Sequence, residues 1–280
     1  MEFKLICNSF THTLYGHTGY SVHGKISKYI KWIHDGHTEQ KLTFDKLEPG
    51  DKTFYVDSFL PWGLNDNTSE IKYGMIMECS DLVGGVIDDV INNLDHYMNE
   101  FETIFTWNEH LCSLHERIKW IPGQGSWIKE PQIYEKNKLV SIISSNKSSL
   151  PGHRERLSII EKLKDKAPLF GNGFNPVEFK EEALSEYMFS VAIENKNDWF
   201  TEKILDCFMT GTIPVYRGTP NIGKWFNMDG IIILDDTFDM SNLNEDLYYS
   251  KMEAVKDNLE RAKKMEILED YIYENYLSKT

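Results

Sequence analysis

Short apolar runs alternate with amphipathic stretches along the 280 residues, the order expected of βα units built around parallel sheets. Runs at Phe3–Cys7, Thr53–Asp57, Tyr73–Glu78, Thr103–Thr106 and Lys119–Ile121 predict strands in the first half. Leu139–Ser144, Phe189–Glu194, Ile213–Tyr216 and Ile231–Leu234 predict strands in the second. Between them, Val86, Ile87, Val90, Ile91, Leu94, Tyr97 and Phe101 give one apolar helix face after the Gly84-Gly85 break, and Ile26, Ile30 and Ile33 suggest another. Met252, Val255, Leu259, Ala262, Met265, Leu268 and Ile272 recur at steps of three and four, which predicts one long amphipathic helix at the end. Pro122, Gly123, Gly125 and Pro131 punctuate a polar, strand-poor stretch around 123–138 and mark a boundary. The expected organisation is a first lobe over residues 1–130, a second over 131–250, and a closing helix over 251–280 that packs on the first lobe.

Composition narrows what such lobes can bind. Hydrophobic residues make up 41% and charged ones 26%, enough apolar material for large cores without staples. Thirty Lys and Arg against 44 Asp and Glu give a net charge of −14, which disfavours nucleic acid as a partner. A small anionic ligand is still compatible, because a pocket needs matching potential only within a Debye length of about 10 Å. Cys7, Cys79, Cys112 and Cys207 form no CxxC pair and no His/Cys ligand spacing, so neither zinc nor a disulfide framework is indicated and a reducing compartment is expected. No apolar run reaches the roughly 18 residues of a membrane span, and the start MEFKLICNSF lacks a signal-peptide pattern. These features predict a cytoplasmic protein without an integral membrane segment. The tail stripe keeps no strict heptad, which leaves a monomer or a weak homodimer.

Two stretches carry candidate chemistry. In FSVAIENKNDWFTEKILDCFMTGTIPVYRG, residues 189–218, an apolar strand ends at Glu194-Asn195, a helix opens near Trp199–Thr201, Gly211 closes it, and a second strand follows. The ligand crevice of such a βαβ unit lies at the carboxyl ends of the strands and the helix N-termini, where free N–H groups favour an anion. Asn195, Trp199, Glu202 and Lys203 would sit there. A ring can stack on a base, a carboxylate can accept from ribose hydroxyls, and an ammonium can neutralise phosphate. An ordinary exposed helix start, with its carboxylate in the first turn, would read the same way. Neither GxGxxG nor GxxxxGK[ST] occurs in the loop. In LVSIISSNKSSLPGHRERLSIIEKLK, residues 139–164, a strand runs through a polar loop to Arg154 and Arg156 at the beginning of a helix. A cation in a first helical turn is locally disfavoured unless an anion compensates it, and a surface pair with Glu155 or Glu161 would do so.

The succession SSNKSSLPGHRERLSIIEKL, LFGNGF and SVAIENKNDWFTEKILDCFMTGTIPVYRGTPNIGKWF resembles the donor half of the family 10 glycosyltransferases, the α1,3/4-fucosyltransferases, over roughly residues 139–236. Compact bacterial and viral members are especially similar. The resemblance implies an α/β fold of GT-B type, with two Rossmann-like lobes, that moves fucose from GDP-fucose to a hydroxyl of a glycan acceptor with inversion. It implies no required cofactor, and leaves a divalent metal open as a stimulator. It places Arg154 and Lys203 on the diphosphate, Asn195 at the family's FEN asparagine, and Glu202 on the ribose. Trp199 stands where the family has tyrosine, keeping a stacking face but no hydroxyl, and the loop from Asn195 to Glu202 is shorter than in many members.

The family's base is a glutamate in a GEN-like sequence. Its counterpart is Glu78 in GMIMECSDL, where only the glutamate is retained. Strand ends project side chains toward a ligand, and partial burial raises a carboxylate pKa, which suits a general base. His17, His23, Glu109 and His110 are possible substitutes, although His12, His17 and His23 read more simply as a polar loop. An exostosin-like transferase using another nucleotide sugar, or a binding module without catalysis, would share the same donor half.

Overall fold

The computed structural model describes residues 1–7, 25–34 and 50–278; His12, His17 and His23 lie outside them. The chain forms two compact units, Met1–Gly125 with Ile267–Thr280, and Ser126–Glu266.

In the first unit, β1 (Glu2–Ile6), β2 (Lys31–His34), β3 (Lys52–Val56), β4 (Ile71–Ile76), β5 (Thr103–Thr106) and β6 (Ile118–Trp120) make a parallel sheet in the order β2-β1-β3-β4-β5-β6. Helices α1 (Ser80–Asn92), α2 (Leu94–Glu100) and α3 (Glu109–Leu114) follow strands β4 and β5. The core on one side joins Phe3, Trp32, Phe54, Met75 and Phe105 to Leu268, Ile272 and Leu277 of the tail.

The second unit carries β7 (Lys138–Ile143), β8 (Leu169–Phe170), β9 (Tyr187–Ile193), β10 (Ile213–Arg217) and β11 (Ile232–Ile233) in the order β11-β10-β9-β7-β8, again parallel. Its helices are α4 (Pro151–Leu163), α5 (Glu181–Leu184), α6 (Glu202–Met209), α7 (Glu245–Ser250) and α8 (Met252–Lys263), and α9 (Leu268–Ile272) returns to the first unit. Strand β9 is buried along its whole length, as expected of a parallel strand covered on both faces. Two Rossmann-like α/β units of this kind constitute the GT-B-type architecture that the sequence resemblance implied.

Three expected helices differ. Ile26, Ile30 and Ile33 do not share a helix face: burial alternates at Ile30 and Trp32 against Lys31 and Ile33, and 31–34 is an edge strand on β1. The helix placed after Gly84-Gly85 is preceded by a turn from Ser80 and kinks at Val83, whose φ of −118° and ψ of 15° are not helical, next to the expected break; an added Cβ at either glycine would meet nothing within 4 Å. It breaks again at Asn93, whose φ of −123° is not helical. The long tail helix is interrupted: α8 stays in the second unit, Ile267 is extended, and only Ile267–Thr280 belongs to the first. The apolar stripe runs unbroken because both sides of the interruption are buried, Ala262 in one unit and Leu268 in the other. Among the described residues no helix is long and apolar enough to cross a membrane.

Burial shapes the acid–base behaviour of the first unit at Asp57, the residue after β3. Burial, assisted by the Glu78 charge, pushes its carboxyl up to about 7, against hydrogen bonds from the Met77 and Glu78 amides. A folded-state pKa above the unfolded 3.8 means the folded chain binds the extra proton between those values. That stabilisation is complete below 3.8 and is lost as pH rises through about 7. Thermal melting at pH 5 and pH 8 should therefore show a fall in wild type that is smaller in Asp57→Asn.

Candidate functional site

The second sheet changes direction at β7, which has β8 on one side and β9 on the other. Crevices in open α/β sheets form at the carboxyl ends of the strands flanking such a switch. The two loops that leave these ends are 144–150, leading into α4, and 194–201, leading into α6. They are pressed together at Gly152, where an added Cβ would lie 1.7 Å from the Asn195 carbonyl oxygen. Only glycine lets the first turn of α4 approach that peptide so closely. Gly171, at φ +112°, likewise backs onto the Ser144 carbonyl. Gly152→Ala should force the loops apart, at a cost of about 1–3 kcal/mol for the overpacking. Melting temperature and ligand affinity should fall together in that variant.

Arg156 is the cation that this packing buries. It is 5% exposed, donates from one terminal nitrogen to Asn195 Oδ1, and from the other to Ser145 Oγ at 3.2 Å. Its Nε is buried with no hydrogen-bond partner among the described residues. Burial lowers the guanidinium pKa while Glu194 and Glu202 support its charge.

Glu194 directly follows β9 with its side chain fully enclosed, and accepts from the Thr201 N–H at 2.8 Å, the Thr201 hydroxyl at 2.8 Å and Lys203 Nζ at 3.0 Å. The seven-residue return from Glu194 to Thr201 is thus closed on one carboxylate. Burial pushes that carboxyl up against the pull of Lys203. Thr201 also caps α6, accepting from the Lys203 N–H. Although burial works against the Lys203 ammonium, Glu194 and Glu202 hold it above its ordinary value, and the Arg156 charge is near enough to lower it.

Glu202, the first residue of α6, lies 3.5 Å from Lys203 Nζ and 3.6 Å from Lys180 Nζ. Burial would raise its carboxyl, but the two ammonium groups bring it down to about 2. Lys180 completes the cluster with a 2.6 Å pair to Asp206, which also accepts from the Ser126 hydroxyl and the Trp127 N–H. Three cations, Arg156, Lys180 and Lys203, therefore stand among three carboxylates, Glu194, Glu202 and Asp206.

Four of the residues named from sequence, Asn195, Trp199, Glu202 and Lys203, fall in this loop and helix start. Arg154 does not point inward. It is exposed and donates to the Ser148 and Ser149 carbonyls, both at 3.0 Å. Trp199 is only 7% exposed, so its ring packs inside the unit rather than lying open for a base. The sequence gives Arg156 and Glu194 only as a helix-start cation and a strand end, with no ligand role, and does not point to Lys180. Arg156 had a usable signal: it lies four and seven residues before Ile160 and Leu163, on the buried stripe of α4.

In the first unit, Glu78 is half-buried in the turn between β4 and α1. Its N–H donates to Asp57 Oδ1 at 3.2 Å and its carbonyl accepts from Trp107 Nε1 at 3.0 Å. Glu109 opens α3, capped by Asn108, and His110 is exposed.

Residues 133–258 match the family model described as glycosyltransferase family 10 (fucosyltransferase), C-terminal. The α-(1,3)-fucosyltransferase FucT of Helicobacter pylori is 31% identical over 125 residues, 41% of this chain and 24% of that protein. A fucosyltransferase-like protein of Arabidopsis thaliana is 46% identical over 48 residues, 16% of this chain and 9% of its own length. This chain thus spans at most about a quarter of the curated relatives it matches. Among solved structures, an α1,3-fucosyltransferase with GDP aligns with a TM-score of 0.48 at 16% identity, covering 84% of this chain and 81% of that one.

Proposed function

We propose, from the premise that the chain belongs to glycosyltransferase family 10 through residues 133–258, that it is an inverting transferase taking fucose from GDP-fucose to a glycan hydroxyl. The observation that carries this reading is the buried Arg156, its Nε unpartnered among the described residues, sharing two carboxylates with Lys203 at the switch point of the second sheet. Such a pair suits a pyrophosphate: a planar fork and a compact ammonium, fixed before the ligand arrives.

In the reaction, an acceptor hydroxyl oxygen attacks the anomeric carbon, the new glycosidic bond forms as the bond to the β-phosphate oxygen breaks, and GDP leaves with the bonding electrons. Glu78 takes the hydroxyl proton. Arg156, Lys203 and the first N–H groups of α4 and α6 receive the negative charge that develops on the leaving diphosphate, which is the change most effectively stabilised by fixed donors. Glu202, held ionised, accepts from ribose hydroxyls, and Asn195 orients the guanidinium. Glu194 plays no part in contact with substrate; it keeps the loop closed and Lys203 in place.

Thermal shift with GDP, GDP-fucose, GDP-mannose, UDP-galactose and UDP-N-acetylglucosamine tests the donor. A ligand at 100 times its Kd should stabilise by about 2.7 kcal/mol. GDP and GDP-fucose should raise the melting temperature and the uridine nucleotides should not. Stabilisation by a uridine nucleotide alone would overturn the fucosyl reading.

A further inference from the structure

The first unit contains one non-glycine residue with a left-handed backbone among those described, Asp57 at φ 50°. It is also one of the few buried carboxylates there, 7% exposed, and it directly follows β3. In that sheet β1 has β2 on one side and β3 on the other, so the carboxyl end of β3 borders the switch point. A side chain other than glycine in this conformation is uncommon, and at such positions the surrounding structure must hold it.

What holds it is the turn carrying Glu78. Asp57 Oδ1 accepts from the Met77 N–H at 2.7 Å and from the Glu78 N–H at 3.2 Å. On the other side of the same residue, the buried Trp107 donates its indole N–H to the Glu78 carbonyl at 3.0 Å. Both peptide planes flanking the Glu78 Cα are therefore pinned by side chains from other strand ends, β3 and β5. The Glu78 side chain thus departs from a backbone held on both sides. Helix α1 begins two residues later.

We propose that Asp57 is the positioning residue for the acceptor-activating carboxylate, acting with Trp107 to fix the backbone from which the Glu78 side chain departs. The proposal rests on the reading of Glu78 as the base. A buried carboxylate in a bend that glycine would adopt freely serves no other partner in the described contacts, and misplacing a reacting group by about 1 Å can cost about a hundredfold in rate.

The test uses GDP release from GDP-fucose, in water alone and with a panel of galactose- and N-acetylglucosamine-containing disaccharides, in Asp57→Gly, Asp57→Asn, Trp107→Phe and Glu78→Gln. Glycine keeps the left-handed turn without strain while removing the acceptor; asparagine tolerates the same turn and keeps an Oδ1. Asp57→Gly should lower kcat about tenfold or more while the KM for GDP-fucose stays within about twofold, because the donor half is untouched. Asp57→Asn should recover kcat to within about threefold of wild type, since its amide oxygen still accepts both N–H groups. Trp107→Phe should lower kcat in the same direction, and it carries the test alone if Asp57→Gly does not fold.

Wild-type kcat in a folded Asp57→Gly, or a joint loss of kcat and donor affinity that asparagine does not repair, overturns the proposal. Full turnover in Glu78→Gln overturns the base reading instead. A dead Glu78→Gln beside a normal Asp57→Gly removes the positioning role and leaves the base in place.

Discussion

Arg156→Ala should reduce kcat/KM for GDP-fucose by about a hundredfold or more, the scale of losing a preorganised charged donor to the transition state. Arg154→Ala should leave it within about threefold. The asymmetry follows from where the two guanidinium groups lie. Arg154 is exposed and occupied with two loop carbonyls, whereas Arg156 is buried among the carboxylates that also hold Lys203. Charge counting sharpens the expectation. With Arg156 the cluster balances three cations against three carboxylates. Without it, two lysines face Glu194, Glu202 and Asp206, and an incoming diphosphate meets a net negative site of low dielectric. Arg156→Lys restores the charge without the planar fork and should recover only part of the loss. Calorimetric titration with GDP reads the effect directly. Equal affinities for the Arg154 and Arg156 variants would place the diphosphate elsewhere.

The same pair of arginines shows what the letters could and could not tell. The nine strands expected were legible to within one or two residues, because β-branched runs bounded by polar turns have few other readings: the expected Phe189–Glu194 is β9 at Tyr187–Ile193, and the expected Thr103–Thr106 is β5 itself, whereas the short edge strands β2 and β8 were not legible. Arg154 and Arg156 are two positions apart on one helix, about 200° around its axis, so one faces inward when the other faces out. The resemblance drew attention to the first; the Ile160 and Leu163 stripe selects the second. Lys180 had no local signal, since it leaves an irregular stretch and meets Glu202 and Asp206 only through the tertiary fold. Glu194 was named only as a strand end, because nothing in a strand pattern distinguishes a buried carboxylate from an exposed one. Asp57 was taken as the last residue of a strand for the same reason; its left-handed backbone is a property of the turn it closes. The break at Ile267 was invisible because hydrophobic spacing records burial and does not say in which unit the residue is buried.

Glu78→Gln should lower kcat by about a thousandfold, within the range of removing a general base, and leave the Kd for GDP-fucose unchanged. The substitution keeps the size of the side chain and every backbone contact of the residue, including those to Asp57 and Trp107, and removes only the capacity to take a proton. A second consequence is independent of turnover. The Glu78 charge is one of the causes that push the Asp57 carboxyl up to about 7, so its neutralisation should move that titration downward. In the melting series, the loss of stability with rising pH should then end at lower pH and be smaller in Glu78→Gln than in wild type, and the part due to Asp57 should be absent in Asp57→Asn. Both carboxyl groups would thereby be shown to share one field. Should Glu78→Gln turn over normally while its melting profile shifts as expected, the two groups are coupled but the proton goes elsewhere, and Glu109 and His110 become the side chains to replace.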